Sequence, residues 1–161
     1  MECPFAIWKP LPEDHSAPGI SLLQRNLIIL HITQGPSAQS AINTFAASVK
    51  PNRTSCHFVI DRDGSIYQLV SITRTAWHAS QVNSHSVGIE HAGRVDGTFP
   101  ITLEQIEASA ELVSWIAKQL DIPIDHDHVK SHNQASPKDG HVLCCEPALS
   151  VDEVINLANS V

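Results

Sequence analysis

The sequence lacks the features of a membrane-spanning protein and of a disulfide-stabilised secreted domain. No apolar run approaches the ~20 residues that a membrane-spanning helix needs, and residues 1–4 do not begin a basic segment followed by an apolar one, as a secretory signal does. The chain has only 4 cysteines, and two of them, Cys144 and Cys145, are adjacent and poorly placed to pair with each other. We therefore expect a protein made in the cytoplasm, with free thiols or a metal site. It would reach any target outside the cell through lysis or specialised export.

Positive charge is scarce, whereas histidine is abundant. The formal net charge is −7, which gives the chain no electrostatic reason to bind nucleic acid or an anionic membrane surface. With 161 residues, of which 42% are hydrophobic, it has the size and composition of one folded domain. The 10 histidines are a first indication of a metal or acid–base site, although most histidines in proteins have structural roles.

The apolar patterns predict an α/β domain preceded by an N-terminal arm. Prolines within residues 1–25 favour an extended arm, packed on a domain that spans residues 26–161. The predicted strands cover residues 26–31, 56–60, 65–70, 86–90 and a short segment around Val129, and the predicted helices cover residues 37–47, 102–120 and 151–158. The sequence DRDG at 61–64 predicts a hairpin, and Thr102 with Gln105 predicts a capping box. This order of elements is typical of a sheet flanked by helices.

Two histidines end predicted strands and can converge on one metal ion. His31 ends the buried strand at 26–31, and His132 ends the strand-like segment 127–132. Functional sites gather at strand ends in open α/β sheets. Zinc binds neutral imidazoles, and a catalytic zinc site uses three protein ligands and keeps one position open. The loop after His132 offers these candidates for a third ligand: Asp139, His141, Cys144 and Cys145.

Glu90, at the end of the predicted strand 86–90, can have either of two roles. It can be an ordinary solvated charge where a strand ends. Beside a metal-activated water it would instead be a general base, with a pKa raised by burial and tuned by the cation. The residue pattern alone leaves both interpretations open.

Five segments, in order along the chain, resemble the zinc-dependent N-acetylmuramoyl-L-alanine amidases, a family that includes phage amidase lysozymes and anhydro-muropeptide amidases. The segments are LIILHIT at 27–33, TSCHFVIDRDGSIYQ at 54–68, AWHA at 76–79, Asn83 with SVGIE at 86–90, and SHN at 131–133. The resemblance covers about residues 24–150. It implies a single α/β domain with a central mixed sheet flanked by helices, a fold shared with animal peptidoglycan recognition proteins. It also implies Zn²⁺ as cofactor and hydrolysis of the amide bond between the lactyl group of N-acetylmuramic acid and L-alanine.

The resemblance assigns roles to individual residues. His31 and His132 match two zinc ligands, and Glu90 matches the acidic residue that activates water in the anhydro-muropeptide branch. Cys56 stands where the phage lysozymes have a catalytic tyrosine, so Glu90 places this chain with the branch that uses glutamate. His57 matches a motif histidine that is not a ligand, and we expect a structural role for it.

Trp77, His78 and Asn83 match the region that binds the sugar–peptide in the family. They are therefore the predicted substrate-binding residues, although an aromatic residue in such a segment can equally belong to the core. The expected partner is peptidoglycan or a muropeptide, with no nucleic acid and no membrane. The expected state is a monomer.

The sequence departs from the family after His132, where the loop is longer and the usual Lys and Pro-Gly are missing. Counting back from Pro147 favours Cys144 as the third ligand, because the family ligand precedes a proline-containing segment. A thiolate also binds zinc strongly. Cys145 and Asp139 are the alternatives, since the register of the loop can slip by one and Asp139 lies closer to His132 in the sequence.

Two other functional classes are compatible with the sequence. One is a non-catalytic peptidoglycan-binding module of the same fold, which would lack a third ligand. The other is a structural α/β domain whose histidines bind no metal. For an enzyme, the departure after His132 leaves the oxyanion stabiliser open between Lys138 and His141.

Overall fold

A six-stranded mixed β-sheet forms the centre of the protein in the computed structural model, which describes residues 1–19 and 22–161. The strands are β1 (Ile7–Trp8), β2 (Ala17–Pro18), β3 (Leu27–Ile32), β4 (Phe58–Ile60), β5 (Ile66–Gln68), β6 (Arg74–Thr75), β7 (Ser86–His91) and β8 (Val129–Ser131). The order in the sheet is β1-β5-β4-β7-β3-β8, and β2 pairs with β6 separately. β3 runs parallel to β7 and β8, whereas β4 runs parallel to β7 and antiparallel to β5. The predicted α/β fold class with a mixed sheet is confirmed.

Helices cover both faces of the sheet. They are α1 (Ala38–Ala47), α2 (Leu103–Leu120), α3 (His132–Ala135) and α4 (Val151–Ala158). α2 and α4 pack together on one face, where Leu112, Val113 and Val154 belong to the main buried cluster. α1 covers part of the opposite face, where Ile42 packs in a second cluster with Val59. The core therefore consists of two layers, one on each side of the sheet.

The side chains of the central strands alternate between these two faces. Leu30 and Ile32 of β3, together with Ile89 of β7, belong to the cluster beneath α2 and α4. His31 and Glu90 lie between such positions and therefore point to the opposite face. The face that α1 covers only in part is thus the face that receives the polar groups of the site.

Hydrogen bonds confirm two local predictions, the capping box of α2 and the hairpin. The hydroxyl of Thr102 accepts from the N–H of Gln105, and the side chain of Gln105 accepts from the N–H of Thr102, so the capping box begins α2. β4 and β5 form the predicted hairpin. Gly64 in its turn has a φ of 83°, a left-handed conformation that glycine adopts without a steric penalty.

The N-terminal segment contributes strands to both sheets and a residue to the core. β1 pairs in parallel with β5 at the edge of the central sheet, and β2 pairs with β6. Cys3 is 4% exposed and joins the core. Residues 20 and 21, within the predicted arm 1–25, lie outside the described residues. The division of the chain into an arm, residues 1–25, and a domain, residues 26–161, stays a prediction.

Several element boundaries differ from the sequence prediction. β4 and β5 are shorter than the predicted strands 56–60 and 65–70, since only Phe58–Ile60 and Ile66–Gln68 pair in the ladder. His132 begins α3 instead of ending a strand, because Ser131 caps this short helix with a second capping box. Among the described residues, no helix combines the length and hydrophobicity needed to cross a bilayer.

Candidate metal and catalytic site

His31 and Glu90 are directly opposite each other in the pairing of β3 with β7. Because the two strands are parallel, both residues lie toward the carboxyl ends of their strands, where sites form in α/β sheets. His31 is 2% exposed, and burial lowers its pKa well below the ordinary value, with a further contribution from His132. A neutral imidazole is the form of histidine that binds a metal ion.

Glu90 places a carboxyl group beside His31, and no ionic partner for it lies among the described residues. Its Oε2 is buried and has no hydrogen-bond partner among the described residues. Burial raises the pKa of Glu90 to about 8. Cys56 and Cys144 lie close enough to Glu90 that its charge helps to raise the pKa of both thiols. A cation at this position would relieve the cost of ionising the carboxyl group.

His132 lies beside His31 because β8 and β3 are neighbours. The two rings are 4.7 Å apart between centroids. Nε2 of His132 lies 3.0 Å from Oδ2 of Asp139, and burial lowers the pKa of His132. Since an ionised carboxylate only accepts hydrogen bonds, Nε2 carries the hydrogen and donates it. The lone pair of this neutral ring is then on Nδ1.

Cys144 returns to the two histidines through the loop that follows α3. The N–H of Asn133 donates to the carbonyl of Cys144 at 2.9 Å, which fixes this end of the loop. One ligand atom from each of His31, His132 and Cys144 lies within 4.8 Å of the other two. Cys144 is partly buried, and burial together with Glu90 raises the pKa of its thiol to about 12.

The two alternative third ligands have other neighbours. Cys145 is fully buried in the core, and its thiol lies 3.7 Å from the carbonyl oxygen of Leu149. Asp139 accepts the hydrogen bond from His132 and so orients that ring. The geometry therefore favours Cys144 as the third ligand over both alternatives.

His78 contacts His31 through its imidazole ring. Its Nδ1 lies 2.9 Å from Nε2 of His31, and its Nε2 lies 3.2 Å from Oγ of Ser86. A Cβ at Gly88 would stand 2.6 Å from Cγ and Nδ1 of His78, so only glycine leaves room for the ring. Oδ1 of Asn83 accepts from the backbone N–H groups of His78 and of the next residue, at 2.9 and 2.7 Å. His78 and Asn83 thus have structural contacts, and their predicted binding of substrate stays a prediction.

Two adjoining cavities form a groove over the site. The smaller, of about 460 Å³, is lined by His31, Glu90 and Cys144. The larger, of about 720 Å³, extends toward Lys50 and Arg53. The residues that line both cavities are Thr54, Trp77, His78, His132 and His141. A ligand in the groove could therefore contact Trp77 while its reacting group lies at the cluster.

His57 has the contacts of a structural residue. Its Nδ1 accepts from the N–H of Gly88, and its Nε2 donates to the carbonyl of Arg74, each at 3.0 Å. Burial lowers its pKa to about 3, so the ring stays neutral. These bonds support the structural role predicted for it. Its neighbour Cys56 is fully buried, and burial raises the pKa of that thiol well above its usual range.

Other contacts of the site were not foreseen from the sequence. The ring of His141 stacks on His132 with centroids 4.5 Å apart and an angle of 22°. Of the two candidates for the oxyanion stabiliser, His141 lines both groove cavities, whereas Lys138 is exposed and lines neither of them. The contacts of Ser86 and Asp139 with histidine rings also have no sequence signal, because a serine that begins a strand and an aspartate in a loop are common.

Comparison with known proteins identifies relatives over most of the chain. Residues 22–143 match the sequence family described as N-acetylmuramoyl-L-alanine amidase. N-acetylmuramoyl-L-alanine amidase A of Achromobacter lyticus is 33% identical over 113 residues, which cover 69% of this chain and 60% of that protein. The 1,6-anhydro-N-acetylmuramyl-L-alanine amidase AmpD of Haemophilus influenzae is 31% identical over 105 residues, or 60% of this chain and 55% of that protein. The chain thus spans less than two thirds of the length of either relative.

Solved structures of amidases share the fold. A crystal structure of a selenomethionine derivative of AmpD aligns with a TM-score of 0.76 at 22% identity, and the alignment covers 97% of this chain and 96% of that one. N-acetylmuramoyl-L-alanine amidase LysC from Clostridium intestinale aligns with a TM-score of 0.71 at 20% identity over 98% and 99% of the two chains. Because the family match extends over residues 22–143, which is most of the chain, the protein belongs to the N-acetylmuramoyl-L-alanine amidase family.

Proposed function

We propose that this protein is a zinc-dependent amidase. Its reaction would be hydrolysis of the amide bond between the lactyl group of N-acetylmuramic acid and L-alanine, in peptidoglycan or in muropeptides. The observation that carries the proposal is the convergence of His31, His132 and Cys144 beside Glu90, in a chain of this family. The names of both relatives, each an amidase of N-acetylmuramyl-L-alanine, support the choice of bond.

The donor set of the site fits zinc. Two imidazoles and one thiolate are ligands that zinc prefers, and three protein ligands leave a fourth position open, as in catalytic zinc sites. A thiolate among the donors disfavours magnesium and calcium, which bind oxygen ligands. The orphaned Oε2 of Glu90 lies next to this group, where an acid–base residue is required.

The residues around the cluster supply acid–base chemistry and orientation. His31, His132 and Cys144 would hold a zinc ion, which would supply a Lewis acid to polarise the scissile carbonyl and lower the pKa of water. The positive charge at this position would favour the ionised form of Glu90. Glu90 takes the proton of the attacking water and returns it to the amine of the departing L-alanine. His141, at the mouth of the groove, is the residue we assign to stabilise the oxyanion.

The groove provides the surface on which the substrate would lie. Trp77 lines both cavities, and an aromatic ring offers an apolar face to a sugar. His78 and Asn83 line the larger cavity beside it. The substrate would therefore extend from the cluster across Trp77 toward the open end of the groove.

Digestion of purified sacculi tests the proposed reaction. The zinc-loaded protein should release new amino groups of L-alanine, identified by mass analysis of the products, without new reducing sugar ends. New reducing ends without new amines would show a glycosidase and contradict the proposal. Binding to sacculi without any cleavage would instead support a non-catalytic peptidoglycan-binding module.

A further inference from the structure

A chain of hydrogen bonds leads from β7 through His78 to the first candidate metal ligand. The hydroxyl of Ser86 lies 2.7 Å from the carbonyl oxygen of Val82 and 3.2 Å from Nε2 of His78. At the other side of the His78 ring, Nδ1 lies 2.9 Å from Nε2 of His31. Four groups are thus joined in one series, which ends in a backbone carbonyl.

The direction of every hydrogen bond in this series follows from its last member. A carbonyl oxygen only accepts, so Ser86 donates its single hydroxyl hydrogen to Val82. Ser86 can then only accept from His78, which places a hydrogen on Nε2 of that ring. The 2.9 Å contact therefore has His78 Nδ1 as acceptor and His31 Nε2 as donor.

Both imidazoles are neutral, so each carries one hydrogen. His31 is 2% exposed, and among the described residues no carboxylate forms a hydrogen bond with either ring, so neither ring has a partner that would stabilise a positive charge. With its hydrogen on Nε2, His31 has a lone pair on Nδ1. The hydrogen bond to Asp139 leaves His132 with the same tautomer, so both rings have Nδ1 free as a ligand atom.

We propose that His78 and Ser86 are positioning residues that fix the tautomer of His31, so that its Nδ1 lone pair is available to the metal ion. This inference rests on the proposed zinc site and adds to it the groups that prepare one ligand before metal binds. It also changes the interpretation of His78, because both of its ring nitrogens are already engaged within the protein. The role usually filled by a carboxylate or a carbonyl behind a metal-bound histidine is filled here by a neutral imidazole.

The packing around His78 supports a fixed ring. Gly88 has no side chain at the point where a Cβ would come within 2.6 Å of His78, and Asn83 holds the backbone of His78 through its Oδ1. The ring is therefore held from two sides in the orientation that bridges Ser86 and His31. A residue whose main task was to adapt to substrate would not need this restraint.

Long-range ¹H–¹⁵N NMR on the metal-free protein tests the tautomers directly. The signals of His31 and His78 are assigned by their absence from the spectra of His31→Gln and His78→Gln variants. We expect both rings of the wild-type protein to be protonated at Nε2 and unprotonated at Nδ1. Protonation of His31 at Nδ1 would overturn the inference, whatever the variants show.

Zinc affinity, measured by competition with a chelator, tests the consequence. In Ser86→Ala the ring of His78 loses its acceptor, so its hydrogen can move to Nδ1 and reverse the bond to His31. We expect zinc affinity to fall by about 10-fold or more, the range for residues that orient metal ligands, and His31 to gain a population protonated at Nδ1.

Ser109→Ala is the matched control. Ser109 is also fully buried, but its hydroxyl has no hydrogen-bond partner in the described part of the chain. The Ser109→Ala variant should keep the zinc affinity of the wild-type protein and the wild-type tautomers of His31 and His78. An unchanged zinc affinity in Ser86→Ala, or an equal loss of zinc affinity in Ser109→Ala, would overturn the inference.

If Ser86→Ala does not fold, the tautomers of His31 and His78 in the wild-type protein decide. A wild-type protein that binds no zinc contradicts the proposed function, whereas one that binds zinc with His31 protonated at Nδ1 contradicts only the inference.

Discussion

Glu90 is held in surroundings that favour its neutral form. Burial raises its pKa to about 8, and its Oε2 has no hydrogen-bond donor among the described residues. Such a carboxyl group gains little from its surroundings as a structural residue, because within the described part of the chain its buried Oε2 makes no hydrogen bond that would offset its desolvation. Its position beside the candidate metal ligands His31, His132 and Cys144 is the reason we propose it as the general base.

We expect Glu90→Gln to keep zinc and to lose activity. The amide has nearly the shape of the carboxyl group but cannot take a proton, so the rate of amide hydrolysis should fall by ~10²–10⁴, the usual contribution of a general base. Zinc content and amine release are measured on the same preparation. Glu107→Gln, at an exposed position on α2, is the matched control and should keep full activity. A nearly wild-type rate for Glu90→Gln would mean that another residue is the base.

Substitutions at the three candidate third ligands give distinct outcomes. Cys144→Ala should lose zinc and activity, because it removes one of three ligands. Cys145→Ala should keep zinc but unfold more easily, since Cys145 is fully buried in the core. Asp139→Ala should bind zinc about 10–100-fold more weakly, because His132 loses the carboxylate that orients it. Full zinc affinity in Cys144→Ala, with loss in either of the others, would show that the third ligand is misassigned.

At the scale of elements, the site depends on how close β7 comes to the segment that carries His78. Gly88 is the point of closest approach, and the ring of His78 occupies the space of the missing Cβ. The same glycine donates its N–H to Nδ1 of His57. One position on β7 therefore supports both a structural histidine and the histidine that contacts His31.

Gly88→Ala should displace the ring of His78 and weaken zinc binding. Its Cβ would meet ring atoms at 2.6 Å, a distance at which the ring has to shift. We expect loss of stability together with at least a several-fold loss of zinc affinity, measured by denaturant unfolding and by chelator competition. Thr102→Ala is the control: removal of this helix cap should cost about 1 kcal/mol of stability, while zinc affinity is unchanged. Equal zinc affinity in both variants would contradict the role of this close approach.

Elements with a periodic sequence signal were predicted correctly, and those defined by tertiary contacts were not. α2 has an apolar stripe and a capping box, and β3 is a continuous apolar run, so both could be identified from local sequence. β1 pairs over only two residues, which both stay exposed, so no alternation marks it. Its position depends on the neighbouring strand β5, which sequence periodicity does not describe.

The same distinction applies to the site. His31 and Glu90 can be identified from the sequence because each ends an apolar strand, and His132 because it ends the strand-like segment 127–132. Cys144 was chosen over its neighbours by its distance from Pro147, and the structure places it, and not Cys145, with the histidines. The bonds of Ser86 to His78 and of Asp139 to His132 join residues by the path of the chain in space. Residue type and spacing in the sequence do not predict these two hydrogen bonds.

At the scale of the whole molecule, buried neutral histidines make stability depend on pH. His57 has a pKa of about 3 in the folded protein against an ordinary value of 6.5, so the unfolded chain binds its proton more readily. The stability that His57 contributes is fully present above pH 6.5 and is lost as the pH falls toward 3.

We therefore expect the metal-free protein to lose stability on acidification, by up to about 1.4 kcal/mol per pH unit from this group alone. Urea unfolding between pH 7 and pH 4 measures the slope. His57→Gln, itself less stable, should show a shallower slope over the same range, because it lacks the titrating ring. Parallel slopes for the two proteins would contradict a neutral, buried His57.

Zinc should stabilise the molecule as well as activate it, because the site forms only in the folded chain. The measurement that tests the whole account most directly is a zinc titration of the metal-free protein, with amine release from purified sacculi as the readout. We predict that activity is absent without metal, rises with added zinc and saturates at one zinc ion per chain. Full amidase activity in protein shown by metal analysis to contain no transition metal would contradict it.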